Sequence, residues 1–149
     1  MVIAREQEPQ MGEVFLGGEF GAVAAPPGGE ITSRLAAHDP LTGATKWIRS
    51  TKYPVLSSIL STAGDLVFYG DPEGFFYALD ARSGAELFRF NTGAGHRGSP
   101  VSYAVGGKQF VVTPSGWGSL VSGWYPQIWP ETEALTAGAT LFAFALPEE

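Results

Sequence analysis

Hydrophobic and polar positions alternate in short runs along the chain, and 20 Gly and 11 Pro residues lie mostly between these runs. Short runs about 8–12 residues apart, with turn residues between them, predict an all-β sandwich, barrel or propeller. The predicted strands are Glu13–Leu16, Arg34–His38, Ala44–Arg49, Val55–Ser61, Leu66–Tyr69, Phe75–Leu79, Glu86–Phe90, Val101–Val105, Gln109–Thr113 and Thr140–Ala145. Because no stretch keeps a helical period for three turns, we expect little helix beyond one short turn at Glu131–Ala137.

An eleven-residue motif occurs twice in this pattern. Ala37–Trp47 reads AHDPLTGATKW, and Ala78–Phe88 reads ALDARSGAELF. An Asp, a Thr or Ser, a Gly and an aromatic residue recur in the motif with an offset of 41 residues. The Asp can accept hydrogen bonds from its own turn, the Gly permits a positive φ, and the aromatic ring can pack between neighbouring sheets. A period near 41 is typical of one four-stranded propeller blade.

The length of the chain limits the number of such blades. At this period, 149 residues make about three and a half blades, whereas closed propellers have about 4–8. An open ring exposes apolar blade faces, so we expect the chain to be an incomplete piece or one part of an assembly. The first residues contain no apolar core of a secretory signal, and we expect residues 1–12 to be an extension and 13–149 to form the blades.

Composition and charge exclude several classes of function. The chain has 9 Lys and Arg against 15 Asp and Glu, a net charge of −6, which is unsuited to binding a phosphate backbone. The absence of Cys excludes disulfides, thiolate zinc sites and a Cys nucleophile. The apolar runs are far shorter than the ~20 residues that span a bilayer, so we expect no membrane span.

Several segments in the same order resemble the C-terminal portion of the PQQ-dependent (quinoprotein) methanol and ethanol dehydrogenases. The resemblance extends from about Glu13 to Leu146. It rests on the repeated motif, which is similar to the tryptophan-docking motif of that family, and on further matching segments. These segments are Thr62–Gly70, Gly98–Tyr103, Gly107–Val111 and Thr140–Pro147.

The resemblance implies a fold and a chemistry. It implies an all-β partial β-propeller, about three four-stranded antiparallel blades of an eight-bladed ring that holds pyrroloquinoline quinone (PQQ) on its axis. In that family a Ca²⁺ or lanthanide ion beside the quinone polarises its carbonyl while a carboxylate takes the alcohol proton. The family's metal ligands and catalytic Asp lie N-terminal to the region covered, and no stretch of this chain matches them.

Two positions that contact the quinone in the family fall inside the chain. Leu56 stands where the family has a Trp. In the Gly-x-Gly-Gly-Trp loop Gly118 matches, Ser119 and Leu120 depart, and Trp117 is a candidate to supply the missing ring. The departures leave two readings open, a different cofactor lining or a copy that has lost cofactor binding.

The loop Gly93–Gly98 carries two further candidates. It matches the G-x-G-x-x-G fingerprint, but a strand with a proline follows it where a dinucleotide site needs a helix. His96 in this loop is either a cofactor or substrate contact or an ordinary loop side chain. Arg97 either pairs with a quinone carboxylate or serves the surface.

Two other clusters have structural as well as functional readings. Asp71–Gly74 places two carboxylates in one turn, too few oxygens for Ca²⁺, so a hairpin turn is the better interpretation. An aromatic group of Trp117, Trp124, Tyr125 and Trp129 either covers the end of the propeller or forms a lid over a substrate entrance.

The resemblance leads to one functional hypothesis and two rivals. We expect the C-terminal part of a periplasmic PQQ-dependent alcohol dehydrogenase, inactive as an isolated chain. Its expected partners are the remaining blades or another copy of the chain, a small alcohol and a cytochrome c electron acceptor. One rival is a non-catalytic PQQ-like repeat scaffold for protein–protein assembly in the envelope. The other is a truncated gene product without an independent function.

Overall fold

The computed structural model describes residues 2–4, 8–13, 15, 18–20, 33–118, 122–135 and 137–146. For residues 2–4, 18–20 and 122 it describes the backbone alone. The chain divides into two compact units, Met1–Ile31 and Thr32–Glu149. The predicted boundary at residue 12 stays a prediction. No helix of the described ranges is long and apolar enough to cross a bilayer.

The described residues of the first unit include one strand pair. β1 (Val2–Ala4) and β2 (Gly18–Phe20) pair antiparallel. The strand predicted at 13–16 is wrong where it can be checked, since Glu13 lies in a bend and Phe15 in no strand. The backbone N–H of Glu13 donates to the Gln10 carbonyl, and this turn replaces an extended start.

The second unit contains three antiparallel sheets. Its strands are β3 (Ser33–His38), β4 (Thr45–Thr51), β5 (Leu60–Ser61), β6 (Leu66–Gly70), β7 (Phe75–Asp80), β8 (Glu86–Asn91), β9 (Val101–Val105), β10 (Lys108–Ser115) and β11 (Thr140–Ala145). β3 and β4 form one sheet, β5 to β8 a four-stranded sheet in chain order, and β9 to β11 a three-stranded sheet in chain order. The all-β class is confirmed. Of these three sheets, the middle one has the four strands of a complete blade.

Two predicted elements differ from the structure between the sheets. Most of Val55–Ser61 is irregular, because the Ser57 hydroxyl donates to the Gly70 carbonyl and accepts the Gly70 N–H, each at 2.9 Å. That side chain takes hydrogen bonds that a longer β5 would otherwise make. The predicted turn at Glu131–Ala137 is part of a longer helical region. It consists of a 3₁₀ turn (Ser122–Trp124), α1 (Tyr125–Ile128) and a second 3₁₀ turn (Pro130–Ala134).

The middle sheet is covered on both faces, and its central strand β7 is therefore apolar at nearly every position. One face packs against the first sheet through Leu35, Tyr69, Tyr77 and Leu79, with Trp47 beside them. The other face packs against the last sheet through Phe68, Phe76, Ala78 and Val111, with Phe144 beside them. Sheets stacked face to face in sequence order are the arrangement that propeller blades require.

The repeated motif forms the same turn in both sheets. The Asp39 carboxylate accepts the N–H groups of the two residues after Pro40, and the Asp80 carboxylate does the same in its own turn. Gly43 (φ +71°) and Gly84 (φ +73°) occupy the left-handed region that favours glycine. Both predicted roles are confirmed.

The two motif aromatics differ in their surroundings. The Trp47 indole N–H donates to the Ala81 carbonyl at 2.9 Å, and its ring lies directly on Gly84. Phe88 is 43 % exposed and meets Phe144 edge-on at 5.8 Å. The predicted packing between sheets is thus complete for Trp47 and partial for Phe88.

Candidate functional site

The strands give the second unit two distinct ends. The turn end carries the motif turns 39–44 and 81–85, and the loop end carries the longer connections after β4, β8 and β10. One segment of each of these three connections lies at the centre of the loop end. We name the group of segments the three-loop cluster, and its members are Pro54–Ser58, Gly95–Ser99 and Gly116–Gly118.

Two hydrogen bonds join the members of the three-loop cluster. The Ser99 hydroxyl donates to the Ser58 hydroxyl oxygen at 2.7 Å. The Gly116 N–H donates to the Gly95 carbonyl at 2.9 Å. Candidates that lie far apart in the sequence, Leu56, His96, Arg97, Trp117 and Gly118, are therefore carried on connected loops.

His96 is the most buried candidate, with no exposed surface. Its Nε2 lies 2.9 Å from the Thr92 hydroxyl, and its Nδ1 lies 3.2 Å from the Pro114 carbonyl. Because that carbonyl can only accept, Nδ1 carries the proton. Burial lowers the pKa of the His96 imidazole, and hydrogen bonding to Pro114 only partly offsets it. Above this lowered pKa the ring is neutral, and it bridges Thr92, the residue after β8, and Pro114 in β10 of the last sheet.

The packing of His96 also explains a neighbouring glycine. A Cβ on Gly70 would lie 2.2 Å from His96 Cγ, so only glycine fits beside the ring. The backbone N–H of His96 donates to the Asp71 carbonyl at 2.9 Å. This arrangement favours a structural role for the imidazole, and its contact with a cofactor stays a prediction.

Trp117 lies half-buried at the edge of the three-loop cluster. A Cβ on Gly95 would come within 2.6 Å of its ring, so the indole lies against the backbone of the neighbouring loop. Gly118 follows with φ +135° and is exposed, with no atom within 4 Å of the position of a Cβ. Ser119 and Leu120 lie outside the described residues.

Leu56 and Arg97 are both half-buried on the same cluster. Burial raises the pKa of the Tyr125 phenol to about 12, and the positive charge of Arg97 opposes this rise. That charge therefore acts on the aromatic group that packs on Trp117. Arg97 and Trp117 lie on connected loops, and they carry a cation and a flat ring, the groups that bind carboxylates and planar ligands.

A group of aromatic side chains packs on the three-loop cluster, and one of them, Tyr53, was not predicted from the sequence. Tyr125 is 4 % exposed, meets Trp117 edge-on at 5.2 Å and donates its hydroxyl to the Pro54 carbonyl at 2.8 Å. Tyr53, which no motif marks, is 3 % exposed and meets Trp129 edge-on at 5.5 Å. The packing supports the interpretation of these rings as a cover, and a lid that opens stays a prediction.

Tyr53 also fixes the segment that follows α1. Its hydroxyl donates to Glu131 Oε1 at 2.9 Å, and Lys52 Nζ lies 3.6 Å from the same carboxylate oxygen. The backbone N–H of Glu131 and the Tyr53 hydroxyl lower the pKa of this carboxyl. The helical region is thereby held at two points, Tyr125 and Glu131.

The carboxylates near the site have structural partners. Asp71 Oδ1 accepts the Phe75 N–H at 2.9 Å, and Asp71 Oδ2 accepts the Tyr77 hydroxyl at 2.8 Å. The hairpin interpretation of Asp71–Gly74 is confirmed, and Gly74 has φ +92°. Within the ranges that the structure describes, no three His, Cys, Asp or Glu side chains are placed to hold a metal ion.

A cleft of about 790 Å³ lies at the turn end, away from the three-loop cluster. It separates the middle sheet from the last sheet, and its lining is mainly apolar. The loop Gly93–Gly98 at the opposite end leads into strand β9, as the sequence predicts. The predicted cofactor contacts and this cleft are thus at different ends of the sheets.

More than half of the chain matches a known protein family. Residues 32–111 match the PQQ family described as "Glucose/ethanol/alcohol dehydrogenase, beta-propeller domain". The chain belongs to this family. The match includes both copies of the repeated motif and the first two loops of the three-loop cluster.

Curated relatives and solved structures agree with this assignment. Quinoprotein alcohol dehydrogenase PedH of Pseudomonas putida is 36 % identical over 93 % of the chain and 23 % of that relative. The quinoprotein ethanol dehydrogenase of Pseudomonas aeruginosa is 35 % identical over 76 % of the chain and 18 % of that relative. A europium-containing methanol dehydrogenase has a TM-score of 0.68 at 29 % identity, with 76 % of this chain and 23 % of that structure covered.

These matches cover only part of each relative. The chain spans about a fifth of the length of the curated relatives that it matches. Most of the length of those relatives therefore has no counterpart in this sequence.

Proposed function

We propose that the chain forms part of a PQQ-dependent alcohol-oxidising propeller and that its three-loop cluster supplies one wall of the cofactor site. The observation that carries the proposal is the junction of the loops bearing Leu56, Arg97 and Trp117. These residues are far apart in the sequence, yet the bonds Ser99–Ser58 and Gly116–Gly95 hold their loops together.

The side chains of the three-loop cluster suit part of this cofactor. PQQ is a flat quinone with carboxylate groups, and Trp117 and Leu56 offer a ring and an apolar contact to such a plane. Arg97 offers two parallel N–H donors to a carboxylate. Exposed backbone at Gly118 allows close approach. PQQ, when bound, accepts the two electrons released by the alcohol.

The remaining chemistry would come from residues outside the three-loop cluster. A metal ion beside the quinone would polarise its carbonyl and a carboxylate would take the alcohol proton, and Pro54–Ser58, Gly95–Ser99 and Gly116–Gly118 contain no carboxylate. The names of a lanthanide-dependent methanol dehydrogenase of Methylorubrum extorquens and of a europium-containing methanol dehydrogenase support a lanthanide as that ion, and Ca²⁺ is the alternative that the family resemblance implies. We further propose a small alcohol as the substrate and a cytochrome c as the electron acceptor. The proposed location is the periplasm, and the proposed partner is the remaining blades or a second copy of the chain.

A PQQ titration tests the cofactor wall. PQQ is added to the full chain while the fluorescence of its four Trp residues is followed. We expect saturable quenching that Arg97→Gln weakens about tenfold or more, because a charged hydrogen bond to a carboxylate is lost. Arg82→Gln is the matched control, since Arg82 lies exposed at the turn end in a pair with Asp65.

The scaffold hypothesis predicts a different titration. Leu56 favours it, because an aliphatic side chain replaces a ring at a position that contacts the quinone in the family. Without saturable quenching the scaffold hypothesis replaces the proposal. The isolated chain should not oxidise alcohols with PQQ, Ca²⁺ or a lanthanide and an artificial acceptor, and robust turnover would contradict the assignment of that chemistry to other residues.

A further inference from the structure

Tyr125 connects two members of the three-loop cluster through different parts of one side chain. Its hydroxyl donates to the Pro54 carbonyl at 2.8 Å, two residues before Leu56. Its ring meets the Trp117 indole edge-on at 5.2 Å. With 4 % of its surface exposed, the side chain has almost no contact with solvent.

We propose that Tyr125 is a positioning residue that fixes the Trp117 ring against the Pro54–Ser58 loop and so sets the shape of the cofactor wall. The inference rests on the proposed function for its effect on PQQ binding. The positioning of Trp117 itself rests only on the contacts of Tyr125.

The contacts of Trp117 explain why this position needs an external partner. One face of the indole lies on the Gly95 backbone, where the absence of a Cβ leaves room for it. The edge contact with Tyr125 confines the ring from another side. Edge-to-face pairs have a preferred geometry, so a fixed Tyr125 imposes an orientation on its neighbour.

The hydroxyl of Tyr125 is the part that fixes the ring in place. Burial of a phenol without a partner is unfavourable, and the Pro54 carbonyl is its partner at 2.8 Å. The helical region is held independently by the Tyr53 hydroxyl on Glu131 and by the Tyr53–Trp129 contact. Removal of the Tyr125 hydroxyl alone should therefore leave the segment attached and release only the orientation of the ring.

The experiment compares Tyr125→Phe with Tyr77→Phe in the full chain. Tyr77 is also buried and donates its hydroxyl to Asp71 Oδ2 at 2.8 Å, and its ring packs on Tyr69 and Phe75. The protein is labelled with 5-fluorotryptophan, the four ¹⁹F signals are assigned by single Trp→Phe variants, and the PQQ dissociation constant is measured. We expect Tyr125→Phe to move the Trp117 signal and to weaken PQQ binding about three- to tenfold, the equivalent of one hydrogen bond. Tyr77→Phe should leave that signal in place.

Each outcome decides one part of the inference. An unmoved Trp117 signal in Tyr125→Phe overturns the positioning role whatever PQQ does. A moved signal with unchanged PQQ affinity overturns the link to the cofactor wall. If wild-type protein does not bind PQQ and the signal still moves, the positioning of Trp117 is supported and the proposed function alone is contradicted.

Discussion

The two interfaces between sheets use the same repeated motif but are closed differently. Between the first and middle sheets, Trp47 donates to the Ala81 carbonyl and lies on Gly84. Between the middle and last sheets, Phe88 holds the corresponding position, lines the apolar cleft of about 790 Å³ and is 43 % exposed. The aromatic residue of the motif fills the space between two sheets where the next sheet presents a second copy of the motif turn.

The reason lies in what each ring meets. Trp47 meets the turn after β7, whose glycine leaves room for the indole and whose carbonyl accepts its N–H. Phe88 has no indole N–H to donate, and its ring meets the Phe144 ring of β11 at 5.8 Å. The second interface is instead closed at the loop end, where His96 reaches the Pro114 carbonyl.

The largest expected effect comes from truncation of the two motif aromatics. Trp47→Ala should lower the free energy of unfolding by about 3 kcal/mol, because packing and a hydrogen bond are both lost. Phe88→Ala should cost only about 1 kcal/mol, since much of the ring is already in water. Urea unfolding of both variants measures the difference, and equal losses would mean that the two interfaces are closed alike.

A matched pair of glycines sharpens the same comparison. Gly84→Ala should cost about 2–3 kcal/mol, because the new Cβ would lie 2.7 Å from the Trp47 ring at a positive φ. Gly43→Ala should cost about 1 kcal/mol, from the positive φ alone, since nothing lies within 4 Å of its Cβ. Thermal unfolding followed by circular dichroism gives both values. The interpretation of Gly84 as the docking platform fails if the two substitutions are equally costly.

The smallest expected effect is the pH dependence from His96 at the second interface. Burial lowers the pKa of its imidazole in the folded chain below the ordinary value of 6.5. The unfolded chain therefore binds more protons as the pH falls through this value, and stability present above it is lost.

Stability measured in urea from pH 7.5 to 5 checks this expectation. The loss on acidification should diminish in His96→Asn and persist in His38→Asn, the matched control for the other histidine. An unchanged pH profile in His96→Asn would show that His96 is not the group responsible.

The elements that were predicted from the sequence are those specified by local residues. The span of β9 matches its prediction and β6 extends one residue further, because an alternating pattern defines β9, a continuous apolar run defines β6, and turn signals bound both. The motif turns follow from an Asp and a Gly within six residues of each other. The irregular Val55–Ile59 segment was missed, since a single serine hydroxyl that bonds to the distant Gly70 determines it.

The candidate site was predicted less completely for the same reason. The loops that carry Arg97 and Trp117 were identified, but their junction depends on bonds between residues far apart in the sequence. Tyr53 carries no motif, and Tyr125 and Pro54 are separated by 71 positions. No local pattern indicates such a contact, so only the folded structure could reveal it.

The most direct test follows the indole N–H signals of the four Trp residues by NMR while PQQ is added to the full chain. Trp117 belongs to the proposed cofactor wall at the loop end, whereas the Trp47 indole makes a structural bond to the Ala81 carbonyl at the turn end. We therefore expect a saturable shift of the Trp117 signal with the Trp47 signal unmoved. A shift of Trp47 without one of Trp117, or no shift at saturating PQQ, would contradict the proposed cofactor wall.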